Sequence, residues 1–222
     1  EGARKGPQTL EEAALMAVEC LRNKRTDDIA EKLLRRDMQL DALALKAASR
    51  LRKGQKYIRG LFSGGTFCAE AQILFSPFLS ELYSNAPAAK ARPLKDSMKS
   101  RRHTMIDLGE DEFTVGRPHP MIDYTLRNRR ILQEAADPET AVILLDVVLG
   151  YGSHPDPASE LKDVIRRASR KTIVVCSVTG TDADPQHRSQ VMDSLASAGA
   201  LAQPTNAAAC KLALSIILQG GR

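Results

Sequence analysis

From Tyr57 onward, short apolar runs rich in β-branched residues alternate with longer helix-forming stretches, and that rhythm leaves few folds open. Strands separated each time by a helix cannot pair as hairpins. They lie parallel, with helices covering both faces of the sheet. The strand runs are Tyr57 to Leu61, a segment near Leu82 or Met105 to Leu108, Val142 to Val148, Thr172 to Val178, and Ala200 to Gln203. The helical runs are Thr66 to Glu81, Pro120 to Ala135, Pro157 to Arg170, Pro185 to Ala198, and Asn206 to Leu218. Asp156-Pro157 and Asp184-Pro185 each set an N-cap acceptor ahead of a proline at the first helical position, and Thr205 can cap the last helix. Units of this size predict an α/β fold with a flavodoxin-like doubly wound parallel sheet. Between Tyr83 and Thr104, prolines, alanines and basic residues give no period and predict the approach to the second strand plus a surface loop.

Residues 8 to 53 carry no strand pattern. Thr9 with Glu12 forms a capping box, and Ile29, Leu33, Leu34, Leu40, Leu43 and Leu45 continue an apolar face. The basic run Arg50 to Lys56, broken by Gly54, marks a boundary. The expected division is a helical segment at 1–54 and the α/β domain at 55–222. The segment reads as an arm for a partner, as the tail of a preceding domain with its connector, or as two helices packed on the α/β domain. The chain does not begin with Met, which fits a piece of a longer protein.

A formal charge of +5 raises the question of nucleic acid. Basic residues are interspersed with acids almost everywhere, the densest spots being Arg101-Arg102 and Arg127 to Arg130. No Trp and 4% aromatics leave little to stack on bases, so these spots read as solvated helix faces and no nucleic-acid partner is expected. Cys20, Cys68, Cys176 and Cys210 are far apart and lack C-x-x-C spacing, which predicts reduced thiols in a cytoplasmic protein. No apolar stretch is long enough to span a bilayer, so no membrane partner is expected.

Ligands of an open parallel sheet bind beyond the carboxyl ends of its strands. Four loops at that edge are polar or glycine-rich and should converge: SGGT, DLGEDEFTVGRPHP, LGYGSHPDP and TGTDADPQ. Ser63, Gly64, Gly65 and Thr66 pass directly from strand to helix, aiming unpaired N–H groups and the positive end of a helix dipole outward. A phosphate or carboxylate is the natural occupant. His119, bracketed by Pro118 and Pro120, is the candidate acid, base or nucleophile toward a phosphoryl group, and Arg117 the candidate bidentate clamp. Of the acids ahead of that turn, Asp107 ends a strand and is the second catalytic candidate. Glu110, Asp111 and Glu112 read as solvating or capping residues. His154 with Asp156 lacks a third ligand at a matching spacing, so no metal site is expected.

At these residues the chain resembles the carboxyl-terminal part of FdrA-type proteins, relatives of succinyl-CoA synthetase and other nucleoside-diphosphate-forming acyl-CoA synthetases. YIRGLFSGGTFCAEAQ, DLGEDEFTVGRPHPMID, VVLGYGSHPDPA, VTGTDADPQ and PTNAAA carry the resemblance, and GRPHPMID is the most specific. It implies a CoA-ligase domain of flavodoxin-like fold, in which acid, phosphate and acyl-CoA are interconverted through an acyl phosphate and a phosphohistidine. Ser63 to Thr66 match an anion-facing helix turn of that family. The Gly-His-Ala-Gly segment bearing the phosphorylated histidine is not found here, so His119 does not inherit that role by alignment. No cofactor is expected in this chain itself. CoA and a nucleotide with Mg²⁺ are implied for other domains or subunits of the same enzyme, and self-association into a homo-oligomer is open. Two alternatives accompany this reading: a subunit of an oxamate carbamoyltransferase handling carbamoyl phosphate in ureide catabolism, and a noncatalytic assembly domain.

Overall fold

The computed structural model describes residues 6–22 and 27–220. Two helices, α1 (Leu10–Leu21) and α2 (Asp27–Ala48), precede β1 (Tyr57–Phe62), α3 (Gly65–Phe75), β2 (Leu82–Ser84), β3 (Arg92–Pro93), β4 (His103–Asp107) and α4 (Asp111–Thr114). Then follow α5 (Thr125–Ala136), β5 (Thr140–Val148), α6 (Pro157–Ala168), β6 (Ile173–Thr179), α7 (Arg188–Ser197), β7 (Ala200–Gln203) and α8 (Asn206–Gly220). The seven strands form one sheet in the order β3-β2-β4-β1-β5-β6-β7. Every neighbouring pair is parallel. The run β4-β1-β5-β6-β7 is the flavodoxin-like order, extended at one edge by β2 and β3.

Alternate residues of the central strands enter two separate cores. Ile58, Phe62, Met105, Val142, Leu144 and Val175 pack with residues of α2, α3 and α8. Leu61, Ile106, Ile143, Leu145, Val147 and Val174 pack with residues of α5, α6 and α7. Both faces are dry, which is why the strands read as continuous apolar runs. Helix α2 joins the first core: its Leu40, Ala44 and Ala47 are buried there, and its Asp37 pairs with Lys211 of α8 at 2.5 Å. Thr9 caps α1 by accepting the Glu12 N–H at 3.1 Å, while Glu12 reaches back to the N–H of Gln8 at 2.7 Å.

Several boundaries differ from the sequence reading. Leu82 and Met105 both lie in strands, and β3 adds a third inside the stretch expected to be a loop. Helix α3 ends at Phe75 because Pro77 cannot continue it, and the Ser76 hydroxyl takes up the Gln72 carbonyl at 2.7 Å. Helix α5 starts at Thr125, five residues later than expected, since the proline-bracketed turn stays irregular. Helix α7 starts at Arg188: Asp184 accepts the Thr181 N–H within the loop, and Asp182 caps the helix through the Ser189 N–H at 2.7 Å. Asp156 and Thr205 cap as expected, accepting the N–H groups of Ser159 and Ala208.

The basic run on α5 also needs correction. Arg127 and Arg130 are fully buried rather than solvated. Each faces an acid in the protein interior: Arg127 meets Asp146 at 2.7 Å and Arg130 meets Glu134 at 2.8 Å, with Arg59 3.4 Å from Glu134. Cys68, Cys176 and Cys210 are free and buried, and burial pushes the first two thiols up to about 12. Among the described residues, no helix is long and apolar enough to cross a membrane.

His103, expected in a loop, opens β4. Its Nδ1 accepts the Ile58 N–H at 3.2 Å and its ring stands edge-on to Tyr57. Burial, helped by the nearby Arg59 cation, lowers its pKa to about 4. A histidine whose folded pKa lies below the unfolded value stabilises less as pH falls, because the unfolded chain takes the proton first. Urea unfolding should therefore show a loss of about 2 kcal/mol from this group between pH 7.5 and about pH 4.5. His103→Gln should remove that part of the acid limb, and an unchanged limb would refute the assignment.

Candidate strand-end site

The ends of β1 and β4 meet around a buried carboxylate. Asp107, the last residue of β4, is 3% exposed. Its Oδ1 accepts the Gly109 N–H at 2.8 Å. A Cβ placed on Gly65 would lie 3.0 Å from Asp107 Oδ2. One placed on Gly109 would lie 3.0 Å from Asp107 Oδ1, 3.0 Å from the Ser63 carbonyl oxygen and 3.1 Å from His119 Nε2. Two glycines therefore let Asp107, His119 and the first turn of α3 crowd together. Burial raises the Asp107 pKa, and the charges of Glu110 and Asp146 add to the effect; the Gly109 N–H and His119 oppose it.

His119 is half-buried, and its Nδ1 accepts the Met121 N–H at 3.3 Å. An acceptor Nδ1 puts the proton of the neutral ring on Nε2, the nitrogen that faces Gly109 and the carboxylate side. Opposite it, α3 begins without a side-chain cap. The N–H groups of Gly65, Thr66 and Phe67 precede the first intrahelical bond, which Cys68 donates to Gly64 O. Gly65 and Thr66 are exposed, so these donors face outward.

Asp146, inside β5, fixes the tip of β1. It accepts the Ser63 N–H at 2.8 Å and the Ser63 hydroxyl at 2.5 Å, while Arg127 pairs with it from α5. Ser63 thus faces inward to Asp146, and the outward donors are those of the residues after it. On the far side, Asn85 clamps β4 by donating to the Asp107 carbonyl and accepting the Asp107 N–H, both at 2.9 Å.

Arg117 is placed elsewhere. It is exposed and lines a cleft of about 250 Å³ with Leu108, Phe113, Pro118, Pro120 and Arg129. Hydrogen bonds link the second, third and fourth strand-end loops in series. The His154 N–H donates to Met121 O at 2.8 Å, and Gln186 bonds Gly150 and His154 O. Glu110 and Asp111 flank the start of α4, and Glu112 accepts from Asn85. Among the described residues, no group of three or more His, Cys, Asp or Glu could hold a metal ion.

Sequence reasoning missed Asp146, Arg127, Asn85 and Gln186. One signal was present for the first of these: TAVILLDVV is a buried strand pattern with a charge inside it, and a charge there demands a partner.

Comparison with known proteins adds two findings. Residues 61–216 match the CoA-ligase family. A protein of Escherichia coli (strain K12), described as uncharacterized protein YahF, is 38% identical over 216 residues, which cover 94% of this chain. The chain spans 41% of that relative's length.

Two outcomes test this geometry. Gly109→Ala, whose methyl meets the Ser63 backbone as well as two side chains, should destabilise the protein by about 1–3 kcal/mol in urea unfolding. A neutral result would mean that the turn has room. Asp107→Asn keeps an acceptor for Gly109 while removing a charge that burial disfavours. Because the folded-state pKa is raised, the wild-type chain loses stability relative to this variant as pH rises above the ordinary carboxylate value. Asp107→Asn should be the more stable protein at pH 8, and the gap should close near pH ~4. A wild type more stable at pH 8 would show that the carboxylate is favoured in its charged form.

Proposed function

This chain belongs to the CoA-ligase family, and on that premise we propose that its β1 and β4 strand tips bind a phosphate or acyl phosphate within an acyl-CoA synthetase-like ligase. One observation carries the reading: His119 Nε2 stands at Gly109 beside the buried Asp107 carboxylate, which itself abuts Gly65 at the uncapped amino terminus of α3. The outward N–H groups of Gly64, Gly65 and Thr66 supply donors, and the helix dipole favours negative charge at the same place. The GRPHPMID run supports the finer FdrA-type assignment.

In this reading His119 first donates its Nε2–H to an anionic oxygen. Phosphoryl transfer then requires that proton to leave as the N–P bond forms and the P–O bond to the acyl carboxylate breaks. Asp107, whose proton affinity is raised, is suited to receive it. Arg117, in its neighbouring cleft, serves incoming anionic groups rather than the transferred phosphoryl. CoA and the Mg²⁺ nucleotide are assigned to other domains or subunits, so the complete enzyme is the unit of activity.

The test is labelling of the complete protein with phosphoryl-labelled acetyl phosphate. Acid-labile, base-stable label is expected on the wild type, none on His119→Ala, and labelling slowed by about 10²-fold in Asp107→Asn. Label that survives His119→Ala removes the histidine from the reaction. Saturable binding of carbamoyl phosphate with no label in any variant would move the assignment to carbamoyl transfer.

A further inference from the structure

A cavity of about 420 Å³ opens beside the first turn of α3, walled by Phe67, by Thr179 and Gly180 at the end of β6, and by Arg188, Thr205 and Asn206. We infer that this cavity is a second anion site, built for the carboxylate or phosphate group of a small molecule and centred on Arg188. The site is separate from Asp107 and His119 and does not depend on phosphoryl chemistry there.

Arg188 is fixed before any ligand arrives. Its Nε donates to Val178 O at 3.0 Å and its Nη2 to Pro204 O at 2.9 Å, pinning the guanidinium between the ends of β6 and β7. A guanidinium has five N–H donors, so Nη1 and the second Nη2 hydrogen remain for the paired oxygens of an oxyanion. Among the described residues no carboxylate pairs with Arg188. The two acids at the cavity are already engaged: Glu70 accepts from Leu10 N and from Asn206 Nδ2, both at 2.8 Å, and Glu11 pairs with Arg36.

The opposite wall is the start of α8, a helix of 15 residues. Thr205 satisfies the N–H groups of Ala208 and Ala209 through its hydroxyl and carbonyl oxygens. That leaves the N–H groups of Asn206 and Ala207 as the unpaired donors of the first turn. Asn206 is 3% exposed, and its buried Oδ1 has no hydrogen-bond partner. An orphan acceptor in a cavity wall marks a place that a bound donor completes, so the favoured ligand carries a hydroxyl or amide beside its anionic group. Arg117 differs on each count, being exposed and on another cleft.

The experiment titrates the intact, ¹⁵N-labelled chain with inorganic phosphate, acetate or glycolate at constant ionic strength, following backbone amide resonances. Saturable shifts of Asn206 and Ala207 are expected, with the tighter anion identifying the group bound and glycolate ahead of acetate. Arg188→Met should weaken binding about tenfold or more. His119→Ala should leave it within about twofold, as for a distant site. Thr205→Asp keeps the helix cap but brings a negative charge to the mouth, and it should weaken binding even if Arg188→Met proves unfolded. The inference is overturned if none of the three anions shifts those amides saturably. It is equally overturned if binding survives Arg188→Met or Thr205→Asp in folded protein.

Discussion

A carboxylate in the middle of a sheet that is buried on both faces must be held, and Asp146 is held by one guanidinium and one serine. Arg127 reaches it from α5, and the same Nη2 also donates to Leu61 O at 3.0 Å. Ser63 closes the group from the tip of β1 with two bonds. Breaking such a buried pair by removing one partner typically costs about 3–5 kcal/mol, because the other charge is left stranded. Even intact it is not an economical arrangement: Arg127 Nε and Nη1 have no acceptor, with the Tyr124 ring 5.8 Å away as partial compensation. Its gain is positional. β1 and β5 are the strands from which the chain turns to opposite edges of the sheet, so tying Ser63 to Asp146 fixes the crevice where such folds bind ligands.

Everything outward of that knot follows from where it leaves the chain. With Ser63 turned inward, the backbone passes through an extended Gly64 and starts α3 with its donors uncovered. Gly65 and Gly109 are then required by a close approach rather than by an unusual backbone angle, since each has an Asp107 oxygen at 3.0 Å from where a Cβ would stand. The extra edge of the sheet belongs to the same construction. Asn85 immediately follows β2 and holds both the N–H and the C=O of Asp107, so the added strand fixes the depth of that carboxylate.

What the sequence made legible was whatever depends on local pattern. Alternating strand and helix runs located the sheet, the Asp-Pro pair at 156–157 and Thr205 located helix starts, and SGGT announced an uncapped helix at a strand tip. Asp107 and His119 were visible because one ends a strand and the other sits between prolines. Arg117 lies two residues before His119 in the same proline-bracketed turn, yet its side chain lines a cleft with Phe113, Pro118 and Arg129. The buried arginines were not legible, because α5 reads as a polar helix until it is known that Asp146 waits beneath it and that Glu134 of the helix itself is buried with Arg130. Arg188 and Asn85 were hidden for a related reason. Their partners are backbone carbonyls and amides of distant strands, which no spacing in the sequence encodes.

The first turn of α3 divides two electrostatic environments of opposite kind. On the side of β4 it faces Asp107, a carboxylate whose charge is already disfavoured by burial and by Glu110 and Asp146. An anion brought to that side would disfavour the charge further, which strengthens Asp107 as the acceptor of a proton released there. On the side of β6 and β7 it faces Arg188, which forms no ion pair among the described residues and needs no proton to accept an anion. The two proposed oxyanions thus rest on different helix termini with different demands: at α3 one coupled to proton transfer, as phosphoryl chemistry requires, and at α8 one held by a fixed cation, as substrate positioning requires.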